Sequence, residues 1–333
     1  CLGATPARLL LGDVSLPAAV LRLDALEHNL AWMQAFADAN GALLAPHGKT
    51  TMAPALFRRQ LAAGAWGITV ATAQQAHVAA AHGVPRVLVA NQVVGRANFM
   101  LLSEAMTRFG TRLYCLVDSV ENVQALGQHF RRQRQRLDVL VEVGVAGGRC
   151  GCRDRWAVQA VVAAVQAEPA LRLAGIETYE GVIHGAQAEA QVRAHLEQVR
   201  TLCLELLAAE AFESHEVLLS GAGSAWYDIA AQVFGAGASA RVRPLLRPGC
   251  YLIHDEGLCM HAQQALVARQ AAPMPPGEDL RSSLELWAHV QSRPEPGLAI
   301  VAMGKRDVAF DAGLPMPRLQ HRPGAPGPVA AGA

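Results

Sequence analysis

The chain has 333 residues, of which 52% are hydrophobic and 17% are charged, enough to build a substantial core. Its 29 basic and 28 acidic side chains leave a net charge of +1, so it has no strong field for holding a nucleic acid or an anionic membrane. We therefore expect a globular protein whose partner is a small molecule.

The cysteines and the absence of targeting signals bear on location. Seven cysteines are scattered along the chain without a C-x-x-C spacing, which indicates reduced thiols rather than a disulfide framework. No stretch approaches the ~18 consecutive apolar residues of a membrane span, and the N-terminus shows no export signal. A cytoplasmic location is the resulting expectation. Because the chain begins with Cys1 rather than Met, we expect its true start to lie upstream.

Apolar runs and helical stretches alternate along most of the chain. After an N-terminal arm that ends in a strand near residues 18–23, eight short apolar runs follow one another, with Ala-, Gln- and Leu-rich helical stretches between them. Eight strand-helix units favour a closed (β/α)8 barrel, the TIM barrel, over a doubly wound sheet of five or six strands. The predicted strands are 42–46, 67–71, 86–90, 112–117, 138–143, 173–177, 216–219 and 240–246.

The pattern changes after residue 247, where the barrel is predicted to end. The strand-like pieces 265–268 and 284–290 indicate a second, smaller and antiparallel β domain. The final residues, 321–333, are rich in Pro, Gly and Ala, and we expect them to be disordered.

Lys49 is the candidate catalytic residue. It follows the apolar run 42–45 in the sequence Pro46-His47-Gly48-Lys49-Thr50. A lysine that leaves the end of a buried strand can be partly desolvated, and its neutral amine can then form a Schiff base. The alternative, on this stretch alone, is an ordinary solvated surface lysine.

Two further loops at predicted strand ends can hold anions. The turn Ser220-Gly221-Ala222-Gly223-Ser224 lets backbone N–H groups approach a phosphate, in the loop that binds phosphate in many (β/α)8 barrels. Arg149, in a glycine-rich loop, can hold a phenolate or a carboxylate. A plain turn and an exposed arginine are the alternatives. Tyr179 adds an aromatic hydroxyl at the end of the sixth run.

A lysine, a phosphate site and an anion-holding arginine are what pyridoxal 5′-phosphate (PLP) requires. The sequence resembles the D-serine dehydratase and D-threonine aldolase family, which has the alanine-racemase-like, type III fold of PLP enzymes. The resemblance covers residues 5–324 and is carried by motifs that occur in the family's order. They are Pro46-His47-Gly48-Lys49-Thr50, Gly147-Gly148-Arg149-Cys150-Gly151, Tyr179-Glu180-Gly181, Ser220-Gly221-Ala222-Gly223-Ser224, Arg247-Pro248-Gly249-Cys250-Tyr251 and Gly304-Lys305-Arg306-Asp307-Val308.

The resemblance implies a PLP-binding barrel over residues 18–247, a β-strand domain built from 1–17 plus 248–320, and a homodimer. It implies that Lys49 carries the cofactor, that Arg149 faces the phenolic oxygen and that Tyr179 lies near the ring. The remaining cofactor-binding residues that it implies are Gly221, Gly223 and Ser224 at the phosphate, with Tyr251 as a weaker candidate.

The metal site of the family is the one departure. The resemblance implies zinc bound by a C-terminal His-x-Cys pair, or by His-x-Asp in the aldolases, but none of the twelve histidines has a cysteine or an aspartate two positions later. We therefore predict no metal ligand within the chain and expect the C-terminal part, with this pair, to be truncated. His254, Asp255 and Cys259 are interpreted as packing or surface residues.

The function that the resemblance implies is a PLP-dependent D-amino acid ammonia-lyase acting on D-serine or a related β-hydroxy D-amino acid. Two alternatives remain: a D-threonine aldolase, and a truncated, non-catalytic PLP-binding protein.

Overall fold

The computed structural model describes residues 8–237, 239–311 and 313–331. In these residues, strands and helices alternate after β1 (Ala18–Leu21) and α1 (Leu23–Ala39). The next strands are β2 (Leu43–Leu44), β3 (Ile68–Val70), β4 (Arg86–Gln92), β5 (Arg112–Val117), β6 (Leu137–Glu142), β7 (Leu171–Glu177), β8 (Val217–Gly221) and β9 (Val242–Leu246). The helices are α2 (Pro54–Ala62), α3 (Ala73–Ala81), α4 (Arg96–Phe109), α5 (Val120–Arg132), α6 (Arg155–Gln166), α7 (Ala188–Ala208), α8 (Tyr227–Gly235) and α9 (Leu258–Arg269).

The strands β2 to β9 form one parallel sheet in the order β2-β9-β8-β7-β6-β5-β4-β3. Its two edge strands meet, because the Trp66 N–H donates to Leu44 O at 2.8 Å and the Thr69 N–H donates to Pro46 O at 2.9 Å. A parallel bridge between His47 and Thr69 completes the ring. The eight apolar runs of the sequence are therefore eight neighbouring strands, as a (β/α)8 barrel requires, and the predicted α/β fold class is confirmed.

The strands are apolar because both of their faces are buried. All six residues of β6 are buried, as expected for a parallel strand between a barrel interior and a layer of helices. Side chains inside the ring form a core of their own, which includes Leu88, Leu116, Leu140 and Leu218. Polar caps define the start of several helices: Thr72, Ser119 and Asp154 each accept a backbone N–H of the first turn.

A second sheet lies outside the barrel. Strand β10 (Leu284–Trp287) pairs antiparallel with β1, so segments from both ends of the chain come together. The predicted barrel domain of residues 18–247 begins with β1, whereas the structure pairs β1 with the C-terminal part. Two hairpins follow, formed by β11 (Val290–Glu295) with β12 (Leu298–Val301) and by β13 (Leu319–Gln320) with β14 (Val329–Ala330).

Two local predictions for the C-terminal part were wrong. Residues 265–268 belong to α9, not to a strand, and Leu266 is buried one helical turn after Gln263. An apolar run of four residues is too short for its periodicity to distinguish a helix from a strand. Residues 321–331 are not without structure. Pro323 and Gly324 form a tight turn, in which the Ala325 N–H donates to Arg322 O at 3.0 Å and Gly324 has a left-handed φ of 84°. The turn lies between the paired strands β13 and β14.

Residues 332 and 333 of the same predicted tail lie outside the described residues. In the ranges that the structure describes, none of the helices combines the length and the apolar character needed to cross a bilayer.

Candidate active site

A cavity opens at the carboxyl ends of the barrel strands. Three of the predicted site residues, Lys49, Arg149 and Tyr179, line it together, although they follow three different strands. The parallel arrangement explains this, because the carboxyl ends of all eight strands meet at one rim. His47 and Arg247 line the same cavity.

Lys49 is held by a short turn with tight packing. The Nδ1 atom of His47 accepts the Lys49 N–H at 3.3 Å and caps a single 3₁₀ turn, Gly48–Thr50. A Cβ on Gly48 would lie 2.6 Å from a ring carbon of Phe57, so only glycine fits there. The Lys49 side chain is exposed. The predicted partial desolvation is therefore not observed, since the turn carries the side chain out from the strand end into the mouth of the cavity.

His47 is neutral in this environment. Burial, together with the positive charges of Lys49 and Arg247, lowers the pKa of His47 from its usual 6.5 to about 3. Because Nδ1 accepts a backbone N–H, the proton of the neutral ring is assigned to Nε2. The sequence motif contains His47 but gives it no role. The structure places it as the cap of the turn that carries Lys49.

Arg149 lies on a loop that folds back on its own strand. The Gly144 N–H donates to Cys152 O at 2.9 Å, and the Cys152 N–H donates to Glu142 O at 2.8 Å. The guanidinium of Arg149 donates to Asn91 Oδ1 at 3.3 Å. This loop, residues 143–152, thus holds a cation at the cavity, and no acidic side chain within the described ranges pairs with it, so the guanidinium is available to an anionic ligand.

Glu177 and Arg247 form a buried ion pair at the cavity, which the sequence analysis did not identify. Burial raises the pKa of Glu177 to about 8, although Arg247 opposes the shift. Glu177 Oε2 and Arg247 Nε find no hydrogen-bond partner within the described part of the chain. Buried polar atoms rarely stay unpaired, so two such atoms beside one cavity indicate that a polar ligand belongs there.

The Ser220–Ser224 turn lies at the same rim, but its amide donors are already engaged. The buried carboxylate of Glu180 accepts the N–H groups of Ala222 and Gly223, each at 3.0 Å. Ala222 has a φ of 68°, which turns the two N–H groups to the same side. The N–H of Gly223, which the sequence assigns to a phosphate, thus donates to Glu180 in this structure. Burial raises the pKa of this carboxyl.

The other residues of the turn differ in position. The hydroxyl of Ser224 accepts the Cys250 N–H at 3.4 Å and is half-buried near the cavity. Gly221 is the buried last residue of β8, and a Cβ there would lie 2.9 Å from the ring of Phe234. Gly223 lies against Tyr179, whose ring would be 3.3 Å from a Cβ at that position. Tyr179 therefore connects the turn with the cavity.

Tyr251 does not belong to the cavity. Its side chain is buried, and its hydroxyl accepts a hydrogen bond from Gln60 Nε2 at 3.2 Å. The structure places this ring in the core, because the short 3₁₀ turn Cys250–Leu252 directs it inward, and a cofactor contact of Tyr251 stays a prediction.

The residues present fit PLP. Lys49 supplies an amine, Arg149 a cation, Ser224 a hydroxyl at the adjacent turn, and the unpaired atoms of Glu177 and Arg247 a polar surface. A second donor set lies next to Arg149: oxygen and sulfur atoms of Asp118, Glu142 and Cys150 lie within 4.8 Å of one another. No metal ligand was predicted among them.

Comparisons with known proteins agree with this arrangement. The profile of the family "Alanine racemase, N-terminal domain" matches residues 21–253. D-threonine aldolase from Arthrobacter sp. is 29% identical over 308 residues, which cover 92% of this chain and 76% of that protein. D-threo-3-hydroxyaspartate dehydratase from Delftia sp. (strain HT23) is 32% identical over 199 residues, 60% of this chain and 51% of that protein.

A solved structure shares the architecture. The crystal structure of D-threonine aldolase from Filomicrobium marinum superimposes with a TM-score of 0.75 at 29% sequence identity, and the match covers 93% of this chain and 81% of that one.

Proposed function

The chain belongs to the alanine racemase N-terminal domain family, and we propose that it is a PLP-dependent lyase that splits β-hydroxy D-amino acids by aldol cleavage. The observation that carries the proposal is the meeting of Lys49, Arg149 and Tyr179 in one cavity at the barrel rim. Similarity to D-threonine aldolase over most of the chain supports cleavage of the bond between the α- and β-carbons.

The chain's own residues have distinct parts in this proposal. Lys49 would bind the cofactor through its amine, and Arg149 would hold the phenolic oxygen. The Ser224 hydroxyl would contact the phosphate, while Glu180 keeps the turn in shape from its buried side. When bound, PLP supplies an electron sink for the negative charge that develops at the α-carbon.

Proton handling falls to Lys49 and its neighbours. The amine of Lys49 would take up the proton that the β-hydroxyl of the substrate loses as the bond between the α- and β-carbons breaks, and would pass it to the α-carbon. Because the His47 ring is neutral, it places no second positive charge beside that amine. Its Nε2–H remains a hydrogen-bond donor. Tyr179, with 38% of its surface exposed, offers a hydroxyl at the cavity mouth.

Dehydration is the second candidate. The similarity to D-threo-3-hydroxyaspartate dehydratase supports dehydration. Dehydration is also the reaction of the D-serine ammonia-lyase that the sequence resemblance implies. The match to D-threonine aldolase extends over 92% of the chain against 60% for the dehydratase, and for that reason we place aldol cleavage first.

Product analysis separates the two reactions. The protein is loaded with PLP and incubated with D-threonine in the presence of added zinc or manganese. Aldol cleavage yields glycine and acetaldehyde, whereas dehydration yields 2-oxobutyrate and ammonia. D-serine, tested in parallel, yields pyruvate and ammonia only in the second case. Bound cofactor without turnover of these or any other D-amino acid, even with added zinc, would favour the non-catalytic PLP-binding protein and overturn both.

We also propose a homodimer and a cytoplasmic location. The dimer is what the family resemblance implies, and sedimentation velocity of the PLP-loaded protein tests it: a single species at the monomer mass would overturn it. The cytoplasmic location draws support from the six cysteines in the described ranges, all of which carry free thiols.

A further inference from the structure

Three donor atoms of different chemistry converge beside the cavity without a shared partner. One ligand atom each from Asp118, Glu142 and Cys150 lies within 4.8 Å of the other two. Asp118 follows β5, Glu142 ends β6, and Cys150 lies on the 143–152 loop. We propose that these three side chains form a divalent-cation site, with zinc as the cation, that fixes the loop carrying Arg149 to the barrel rim.

The coordination positions are open. Gln92 Nε2 donates to Glu142 Oε2 at 2.5 Å, and the Gly151 N–H donates to Asp118 Oδ2 at 2.8 Å. Each carboxylate thus has one oxygen engaged from behind and one oxygen to which no donor of the described residues is bonded. The engaged oxygens orient the carboxylates, as the outer partners of metal ligands do.

The basic side chains nearby are directed elsewhere. Over the residues that the structure describes, Arg149 donates to Asn91, and Arg247 pairs with Glu177, so neither neutralises Asp118 or Glu142 through an ion pair. Arg153 donates to the carbonyl oxygens of Cys150, Gly148 and Arg149. Two carboxylates and a thiol are therefore left facing one another.

A further observation points to a ligand at this place. Glu177 is the register partner of Glu142 on the neighbouring strand, is 1% exposed, and lines the same cavity as Glu142 and Cys150. Its Oε2 has no hydrogen-bond partner among the described residues. Buried polar atoms rarely stay unpaired, so this oxygen beside the three donors indicates that a ligand belongs there.

The donor set favours zinc. A thiolate with two carboxylates matches the sulfur and oxygen ligands that Zn²⁺ accepts in tetrahedral geometry, while Mg²⁺ and Ca²⁺ take oxygen alone. Three protein ligands leave a fourth position for water or for an oxygen of a bound ligand. Burial and the neighbouring carboxylates raise the pKa of Cys150, so metal binding would release the thiol proton to solvent.

Cobalt provides the direct test, since a thiolate bound to Co²⁺ gives a sulfur-to-metal charge-transfer band in the near ultraviolet. The 333-residue chain is stripped of metal with a chelator and titrated with Co²⁺ in the absence of PLP. We expect the band to appear and saturate at one ion per chain, and Zn²⁺ to displace it. Absence of the band overturns the proposal.

Variants assign the ligands. Cys150→Ser should abolish the band, whereas Cys259→Ser, at another half-exposed thiol, should leave it unchanged. If circular dichroism shows that Cys150→Ser does not fold, Asp118→Asn is the second variant, because it keeps the thiol and an acceptor for the Gly151 N–H. It should retain the band, and its affinity for Co²⁺ should fall by about 10-fold or more. An unchanged band in the first variant, or unchanged affinity in the second, overturns the assignment. None of these readouts depends on turnover.

Discussion

Glu180 holds Gly223 by a hydrogen bond of 3.0 Å from the glycine N–H to the buried carboxylate, across 43 residues of sequence. The second carboxylate oxygen holds the Ala222 N–H at the same distance. A group that the sequence assigns to the ligand is thus used by the protein to shape the turn.

Glu180→Gln should destabilise the protein. An amide presents one acceptor oxygen and one NH₂ group, so one backbone N–H of the turn would face a donor. We expect the free energy of unfolding to fall by about 1–3 kcal/mol, as for a buried group left unsatisfied. Urea denaturation measures it, with Glu197→Gln at an exposed helix position as the control. Equal stability of the two variants would contradict the role of Glu180.

Lys49→Ala should abolish the visible absorbance of the PLP-loaded protein as well as its lyase activity. The side chain is exposed, so the unfolding transition should stay close to that of the unchanged protein. Absorbance spectra after incubation with PLP and removal of free cofactor measure the change, and Lys305→Ala serves as the control lysine. A visible band that persists in Lys49→Ala would show that another amine holds the cofactor.

Gly48→Ala should disturb the position of Lys49. The added Cβ would lie 2.6 Å from a ring carbon of Phe57 and 3.0 Å from Ile68, both in the core. We expect a loss of about 1–3 kcal/mol in unfolding free energy, as in overpacked cores, together with weaker PLP binding. Gly304→Ala, which meets no atom within 4 Å, is the matched control. Thermal unfolding and PLP titration of both variants decide the matter.

Glu177 should make the folded state less stable as the pH rises. Its pKa is about 8 when folded and 4.5 when exposed, so between these values the folded chain binds the extra proton. Its stabilising contribution is therefore complete below pH 4.5 and is lost as the pH rises to about 8. Urea unfolding at several pH values in this range gives the free energy of unfolding as a function of pH. This free energy should fall less steeply with rising pH in Glu177→Gln than in the unchanged protein. The slope, rather than the absolute stability, is the test, because the variant also leaves Arg247 unpaired.

His47 should act in the opposite direction. Its pKa falls from 6.5 to about 3 on folding, so the unfolded chain binds the extra proton and stability is lost as the pH drops from 6.5 towards 3. His47→Asn retains a side-chain cap and removes the titration. The variant should lose less stability on acidification, which acid-induced unfolding followed by circular dichroism measures. An identical acid profile would contradict a buried, neutral His47.

Much of the site could be predicted from the sequence, because the ends of the apolar runs mark the ends of the strands. Lys49, Arg149, Tyr179 and the Ser220–Ser224 turn each follow an apolar run, and parallel topology brings such positions to one rim. The choice of partners could not be predicted. Arg247 and Glu177 lie 70 residues apart, and only the order of the strands makes them neighbours.

Tyr179 and Tyr251 show the same limit. Both follow barrel strands closely, and the local pattern does not separate them. Packing does: Tyr179 lies over Gly223 at the cavity, while Tyr251 turns inward to Gln60. In the same way, the strand pattern at 18–21 predicts extended backbone but does not indicate that β1 pairs with β10.

The ring closes through a strand of only two residues, and the bridge between His47 and Thr69 lies two positions before Lys49. Any fluctuation that parts this seam also displaces the amine. Closure of the barrel and the position of the Lys49 amine therefore depend on the same backbone contacts. Substitutions that weaken the contacts between β2 and β3 should change the reactivity of the Lys49 amine before they measurably lower the free energy of unfolding.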